Sequence, residues 1–217
     1  MALICGIEEA GRGPVVGPMV MCGVVIDESN LEKFKDIGAK DSKLLTKLQR
    51  EKLFEKIKKT AKAYEIIIIS AQEIDEALES DSLNLNWLEA KCTAEIINKL
   101  GPNKVILDCP SNNIKAYSSY VKRLLKNNVD IIAEHKADVN YPIVGAASIL
   151  AKVTRDWEID KIKKDIKIDF GSGYPSDPKT AEFLKKNWNK YPEIFRKNWY
   201  PYRKVVLDQD QKKIGEF

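Results

Sequence analysis

The chain has 217 residues, 24.6 kDa, with 44% hydrophobic and 31% charged side chains, which fits one domain with a small extension and excludes a disordered chain. Lys and Arg total 36 against 32 Asp and Glu, a surplus too small to name a partner. The longest apolar run, Val15 to Ile26, falls short of the about 20 residues that span a bilayer, and no basic leader precedes Glu8 and Glu9, so a cytoplasmic protein without a membrane partner is expected.

Leu3–Glu8 and Met19–Ile26 are expected strands joined by the turn Gly11-Arg12-Gly13-Pro14. Thr46 and Gln49 have capping-box spacing, and Leu53, Phe54 and Ile57 follow at helical spacing. Tyr64–Ser70 contains four consecutive isoleucines, as a buried strand would. Leu85, Leu88, Cys92 and Ile96 stripe a helix that ends near Gly101. Val105–Asp108 and Val129–Ala133 are short strands flanking a helix at Lys115–Leu125. Pro142 opens a long helix with Ala146, Leu150, Val153 and Trp157 on one face. The loop Phe170–Asp177 follows, then helices interrupted at Pro192 and Pro201. Alternating strands and helices give an α/β class, with a core over 1–168 and a helical extension and tail over 169–217.

Charge is unevenly placed. Residues 1–108 hold 15 basic and 18 acidic residues; residues 109–217 hold 21 and 14. Basic residues interleave with Phe183, Trp188, Tyr191, Phe195, Trp199, Tyr200 and Tyr202. This pattern suits either a nucleic-acid surface or a helical cap with core aromatics and solvated lysines. Cys5, Cys22, Cys92 and Cys109 lack zinc-site spacing and are expected as buried thiols in a reducing compartment.

The informative acids sit at strand ends. Glu8 and Glu9 end an apolar strand, Asp108 ends another, and Asp138 falls between a strand and the Pro142 helix. Each could be a cap or turn residue. Together they could converge on one rim of a sheet, where α/β sites form. Crowded carboxylates repel and raise one another's pKa, and a divalent cation relieves that repulsion. Successive strand residues point to opposite faces, so Glu8 and Glu9 share a site only if the strand ends between them.

Six ordered blocks resemble ribonuclease HII, the type 2 ribonuclease H, in its archaeal style. They are Gly6-Ile-Glu-Glu-Ala-Gly-Arg-Gly-Pro14, Asp41-Ser-Lys43, Asp108, His135-Lys-Ala-Asp138, Ala146-Ala-Ser-Ile-Leu-Ala-Lys-Val-Thr-Arg-Asp156 and Gly171-Ser-Gly-Tyr-Pro-Ser-Asp177. The resemblance implies a ribonuclease H-like fold: a mixed β-sheet flanked by helices, with a small helical C-terminal region. It implies Mg²⁺- or Mn²⁺-dependent cleavage of the RNA strand of RNA/DNA hybrids. It also implies incision at single ribonucleotides embedded in duplex DNA, leaving 3′-hydroxyl and 5′-phosphate ends. Glu8, Glu9, Asp108 and Asp138 would be the catalytic, metal-binding carboxylates. The family usually has Asp then Glu where this chain has Glu8-Glu9. That departure leaves a binding protein with weakened catalysis as the alternative.

By the same resemblance, Gly11, Arg12 and Gly13 with Tyr174 would read the ribose, whose 2′-hydroxyl distinguishes RNA from DNA. Ser42, Lys43, Ser148 and Lys152 would contact backbone phosphate. Arg155 and Asp156 are expected mainly to hold the fold, and His135 to be structural. The tail Gln211-Lys-Lys-Ile214-Gly-Glu-Phe217 resembles a motif for sliding clamps of the PCNA type, with anchors at Gln211, Ile214 and Phe217; a frayed tail is the other reading. A monomer is expected.

Overall fold

The computed structural model describes residues 2–37, 45–80 and 83–214. Strand β1 (Leu3–Ala10) pairs antiparallel with β2 (Met19–Asp27), and β2 pairs antiparallel with β3 (Ala63–Ile69). On the other side of β1, β4 (Lys104–Asp108) and then β5 (Asp130–Glu134) run parallel to it. The sheet order is β3-β2-β1-β4-β5.

Helices cover both faces. On one lie α1 (Glu32–Ile37), α2 (Lys47–Thr60) and α7 (Pro142–Ile166), packing Phe34, Phe54, Ile57, Val144 and Ile149 against Ile4, Val24 and Ile106. On the other lie α3 (Ala71–Glu79), α4 (Leu85–Leu100) and α5 (Ile114–Leu124), packing Ile74, Ile96 and Tyr117 against Cys5, Ile7 and Leu107. A single turn, α6 (Ala137–Asn140), links β5 to α7. Thr46 and Gln49 form the expected capping box of α2. At Gly6 the first turn of α7 lies directly on β1: a Cβ there would stand 2.5 Å from the carbonyl carbon of Ile143. This close approach brings α7 over the end of β1.

Two expectations are corrected. The isoleucine-rich β3 is an edge strand with a neighbour on one side only, so Ile68 is 43% exposed and Ile66 and Ile67 are half-buried. In α7, Ala146, Leu150 and Val153 are buried, whereas Trp157 is 43% exposed and leans edge-on against Phe54.

The C-terminal part contains α8 (Pro178–Asn187) and α9 (Tyr200–Ile214). Pro192 lies between them; Pro201 falls in the first turn of α9, where proline is tolerated, and does not interrupt it. Phe183, Phe195 and Tyr202 are buried with Val15, Val16 and Phe170, and Trp188, Tyr191 and Trp199 pack around them. Lys185, Lys186, Lys190 and Lys197 are exposed. The aromatic-basic stretch is therefore largely a core with solvated lysines; Tyr200 alone of its seven aromatics is open to solvent. Backbone bonds tie this core to the chain after β1: Val15 and Val16 amides donate to the Gly173 carbonyl, and the Arg196 amide donates to that of Val15. The four cysteines are buried and free. Among the described residues, no helix is long and apolar enough to cross a membrane.

Candidate active site

The parallel register Ile7↔Leu107 sets Glu8 beside Asp108 at the carboxyl ends of β1 and β4. Glu8 shares its face with Ile4 and Asp108 with Ile106, both on the α7 side. Asp138 reaches the same place from α6. One carboxylate oxygen from each of Glu8, Asp108 and Asp138 lies within 4.8 Å of the others. Strand β1 does not end between Glu8 and Glu9; it continues to Ala10. Glu9 therefore follows Cys5 and Ile7 to the α4 side and stands outside this group of three, although it lines the same cleft. That cleft, of about 430 Å³, is bounded by Glu8, Glu9, Asp108 and Asp138, by Gly11–Gly13, and by Arg50, Lys152, Arg155 and Tyr174.

The acids are held under electrostatic tension. Burial pushes Glu8 up to about 8; Asp108 and Asp138 push the same way, against the Lys152 charge and the nearby Ser148 hydroxyl. Burial, then Glu8, Glu89 and Asp108, push Glu9 well above the usual carboxylate range. Burial and Asp138 raise Asp108, against the amides of Lys136 and Ala137. Glu8 Oε2 is buried without a hydrogen bond among the described residues. Hard oxygen donors, mutual repulsion and an orphaned carboxylate oxygen fit a divalent cation.

The Gly11–Gly13 turn faces Tyr174 across the cleft. Gly11 has φ +83°, and the buried Arg155 packs directly against it. The Arg155 guanidinium stacks 5.2 Å from the centre of the Tyr174 ring and donates to the Ser172 carbonyl at 3.3 Å. Arg155 thus fastens the 170–177 loop to the turn, in keeping with a role in holding the fold. Arg12 turns away toward α4, where Nε donates to Glu89 Oε1 and Nη2 to Asn86 Oδ1, both at 2.8 Å.

Lys152 lines the cleft beside Glu8. Ser148 is wholly buried near Glu8 and is not among the residues that line the cleft. Ser148 Oγ is close enough to favour the ionised Glu8, yet it makes no regular hydrogen bond among the described residues. Ser42, Lys43 and Phe217 lie outside the described residues, as does the Ile214 side chain; Gln211 is exposed on α9. His135 lies outside the cleft lining, with Nδ1 3.0 Å from the Cys109 carbonyl oxygen.

Sequence reasoning missed three groups. Arg50 lines the cleft and pairs with Asp156 at 3.0 Å. Glu89 is wholly buried, and burial lifts it to about 7 despite Arg12. Its position four residues after Leu85 and three before Cys92, on the apolar stripe of α4, was a legible signal. Arg196, also wholly buried, was hidden among residues that resembled a solvated basic surface.

The family model described as Ribonuclease HII matches residues 5–201. The chain is 47% identical over 215 residues to the Ribonuclease HII of Pyrococcus furiosus, covering 97% of this chain and 94% of that protein. It is similar to the crystal structure of ribonuclease H2 from Pyrococcus horikoshii, with a TM-score of 0.85 and 45% identity over 94% of this chain and 96% of that one. It is also similar to the ribonuclease HII of Archaeoglobus fulgidus in its complex with PCNA, with a TM-score of 0.81 and 38% identity over 91% and 95% of the two chains.

Proposed function

This chain belongs to the ribonuclease HII family of type 2 ribonuclease H endonucleases, and from that premise we propose that it both cleaves the RNA strand of RNA/DNA hybrids and incises at single ribonucleotides in duplex DNA. The observation that carries the reading is one cleft shared by three converging carboxylates and a glycine turn facing Tyr174. Members of this family depend on a divalent metal. Here Mg²⁺ or Mn²⁺ would be held by Glu8, Asp108 and Asp138, with Glu9 contributing from the other face of β1. When bound, the ion would neutralise charge on the scissile phosphate and lower the pKa of water, so that a hydroxide is available to attack it.

The chain's own residues do the rest. Lys152 favours the ionised form of Glu8 against the burial and neighbouring acids that raise it, and attracts the phosphate. The turn amides of Gly11–Gly13 approach the ribose, and the Tyr174 ring packs on the neighbouring sugar, where a second 2′-hydroxyl would crowd it. Cleavage leaves 3′-hydroxyl and 5′-phosphate ends. Residues 1–168 form the catalytic core and 169–217 the extension that carries Tyr174. The binding-only alternative is not favoured, since the family is enzymatic and all four acids line the cleft. The test is nicking of a duplex with one ribonucleotide in Mg²⁺ and in Mn²⁺; binding without nicking in both would overturn the reading.

Glu8 supplies a sharper expectation. Its extra methylene, relative to the family's usual Asp, displaces the carboxylate by an ångström or so. Misplacement of that size costs up to about 100-fold in rate. Glu8→Asp should therefore raise the rate about tenfold or more in Mg²⁺, or alter the preference between Mg²⁺ and Mn²⁺. Equal rates for both proteins in both metals would show that the longer side chain is accommodated.

The tail extends the proposal to a sliding clamp. The Archaeoglobus fulgidus relative is seen with PCNA, and Gln211 is exposed where α9 runs toward the chain end. Deleting residues 211–217 should weaken clamp affinity at least tenfold, about 1.4 kcal/mol, and leave nicking of a short duplex intact. Unchanged affinity in a calorimetric titration would remove the clamp motif from consideration.

A further inference from the structure

We propose that Arg196, from the segment between α8 and α9, is a positioning residue that aims the backbone of the Gly11–Gly13 turn at the ribose. The inference rests on the ribose-reading role given to that turn above. Arg196 is wholly buried, and its planar fork spends its donors on one stretch of backbone. Nη2 donates to the Gly11 carbonyl at 2.7 Å, Nη1 to that of Arg12 at 3.0 Å, and Nε to that of Gly17 at 3.0 Å. The guanidinium lies 4.9 Å from the centre of the Trp199 ring, and the Arg196 amide is itself bonded to the Val15 carbonyl at 2.9 Å. Both ends of the side chain are therefore fixed.

The consequence follows from peptide planarity. In a trans peptide the carbonyl and the next N–H point in opposite directions, and no peptide here is cis. Carbonyls of Gly11 and Arg12 drawn inward onto the guanidinium turn the N–H groups of Arg12 and Gly13 outward. Outward is the cleft, which these residues line. Successive N–H groups with a common aim form a concavity for an oxygen-rich ligand. The Arg12 side chain, tied to Glu89 and Asn86, pins the turn from the α4 side.

Arginine suits this position for a physical reason. An apolar residue would remove the donor from three carbonyls, those of Gly11 and Gly17 in buried bonds and that of Arg12 in a part-buried one, and an ammonium cannot span three acceptors with a rigid fork. Arg196 forms no salt bridge among the described residues, so its charge is directed to the turn itself. Burial and the neighbouring Arg155 bring it down to about 9, which leaves it charged at neutral pH.

The test compares Arg196→Lys, which keeps the charge but loses the fork, with the unaltered full chain. Three quantities are measured: single-turnover nicking at one ribonucleotide, affinity for an all-deoxy duplex of the same sequence, and calorimetric Mn²⁺ binding. Nicking should fall about 100-fold, while duplex and Mn²⁺ affinity stay within about twofold. Trp199→Phe, which keeps Arg196 but loosens its stacking surface, is the milder second variant and should lose about threefold to tenfold in rate. Full nicking by either variant would overturn the inference, as would a parallel loss of duplex and Mn²⁺ binding, which marks general disruption. Gly13→Ala separates the levels. If it nicks at full rate, the turn does not read the ribose; if it is impaired while Arg196→Lys is not, only the positioning role falls.

Discussion

Asp108→Asn is expected to lower nicking at least about 1,000-fold while raising the thermal stability of the metal-free protein. The loss arises because Asp108 is one of the three converging acids, at the end of the strand beside that of Glu8 and raised by the charge of Asp138. The amide keeps the shape, and its oxygen can still accept the Lys136 N–H that Asp108 Oδ1 accepts at 2.9 Å. It lacks the charge that a cation needs. The stability gain has the opposite origin. Glu8 and Asp108 hold protons more tightly in the fold than in the unfolded chain. Stability is then fully present below the ordinary carboxylate pKa near 4 and is lost as pH rises toward the folded value, about 8 for Glu8. Removing one charge should matter little at pH 5 and most at pH 8. A gain of about 1 kcal/mol at pH 8 corresponds to a Tm rise of about 2–4 °C. Mn²⁺ should raise the Tm of the unaltered protein more than that of the variant. A variant that nicks at more than about a hundredth of the normal rate, or gains nothing at pH 8, contradicts this account.

This tension explains which parts of the molecule were legible in sequence. Elements whose signal is local were readable: the β1–β2 hairpin, the Thr46–Gln49 capping box, the end of α4 at Gly101 and the start of α7 at Pro142. The acids were readable because carboxylates at the ends of apolar strands oppose the hydrophobic pattern around them. What depends on tertiary partners was not. Four isoleucines suggested a strand buried on both faces, but only the sheet order makes β3 an edge. Helix α3 went unread although its local signal was present: Ser70 and Glu73 form a capping box, and Ala71, Ile74 and Leu78 recur at helical spacing. The division of Glu8 and Glu9 between two faces turned on whether β1 continued to Ala10, which the glycine at 11 left open. Arg196 was the hardest to find. Its partners are carbonyls of Gly11, Arg12 and Gly17, some 180 residues away, and carbonyls leave no trace in side-chain patterns.

The two glycines that flank Arg12 should fail in different ways when replaced by alanine, and that contrast tests whether the turn is a reading surface or only a tight bend. Gly11 has φ +83°, a conformation that disfavours side chains. Its added Cβ would overlap Nε and Cδ of Arg155 and approach the Pro18 carbonyl oxygen to 2.9 Å. Gly11→Ala should cost about 1–3 kcal/mol, lowering Tm by several degrees together with activity. Gly13 carries no such strain. Its added Cβ would meet the Tyr174 Cε1 at 3.6 Å, an ordinary contact. The fold should tolerate the methyl group, and Tm should move by no more than about 1 °C. The same methyl, however, projects from the turn toward the Tyr174 ring, beside the amides that the proposal brings to the ribose. Gly13→Ala should therefore lose about 100-fold in nicking at a single ribonucleotide with unchanged stability. Loss of function without loss of stability at position 13, beside loss of both at position 11, is a pattern that a purely structural turn does not produce. Full nicking by a stable Gly13→Ala protein would assign the ribose contact to another part of the cleft.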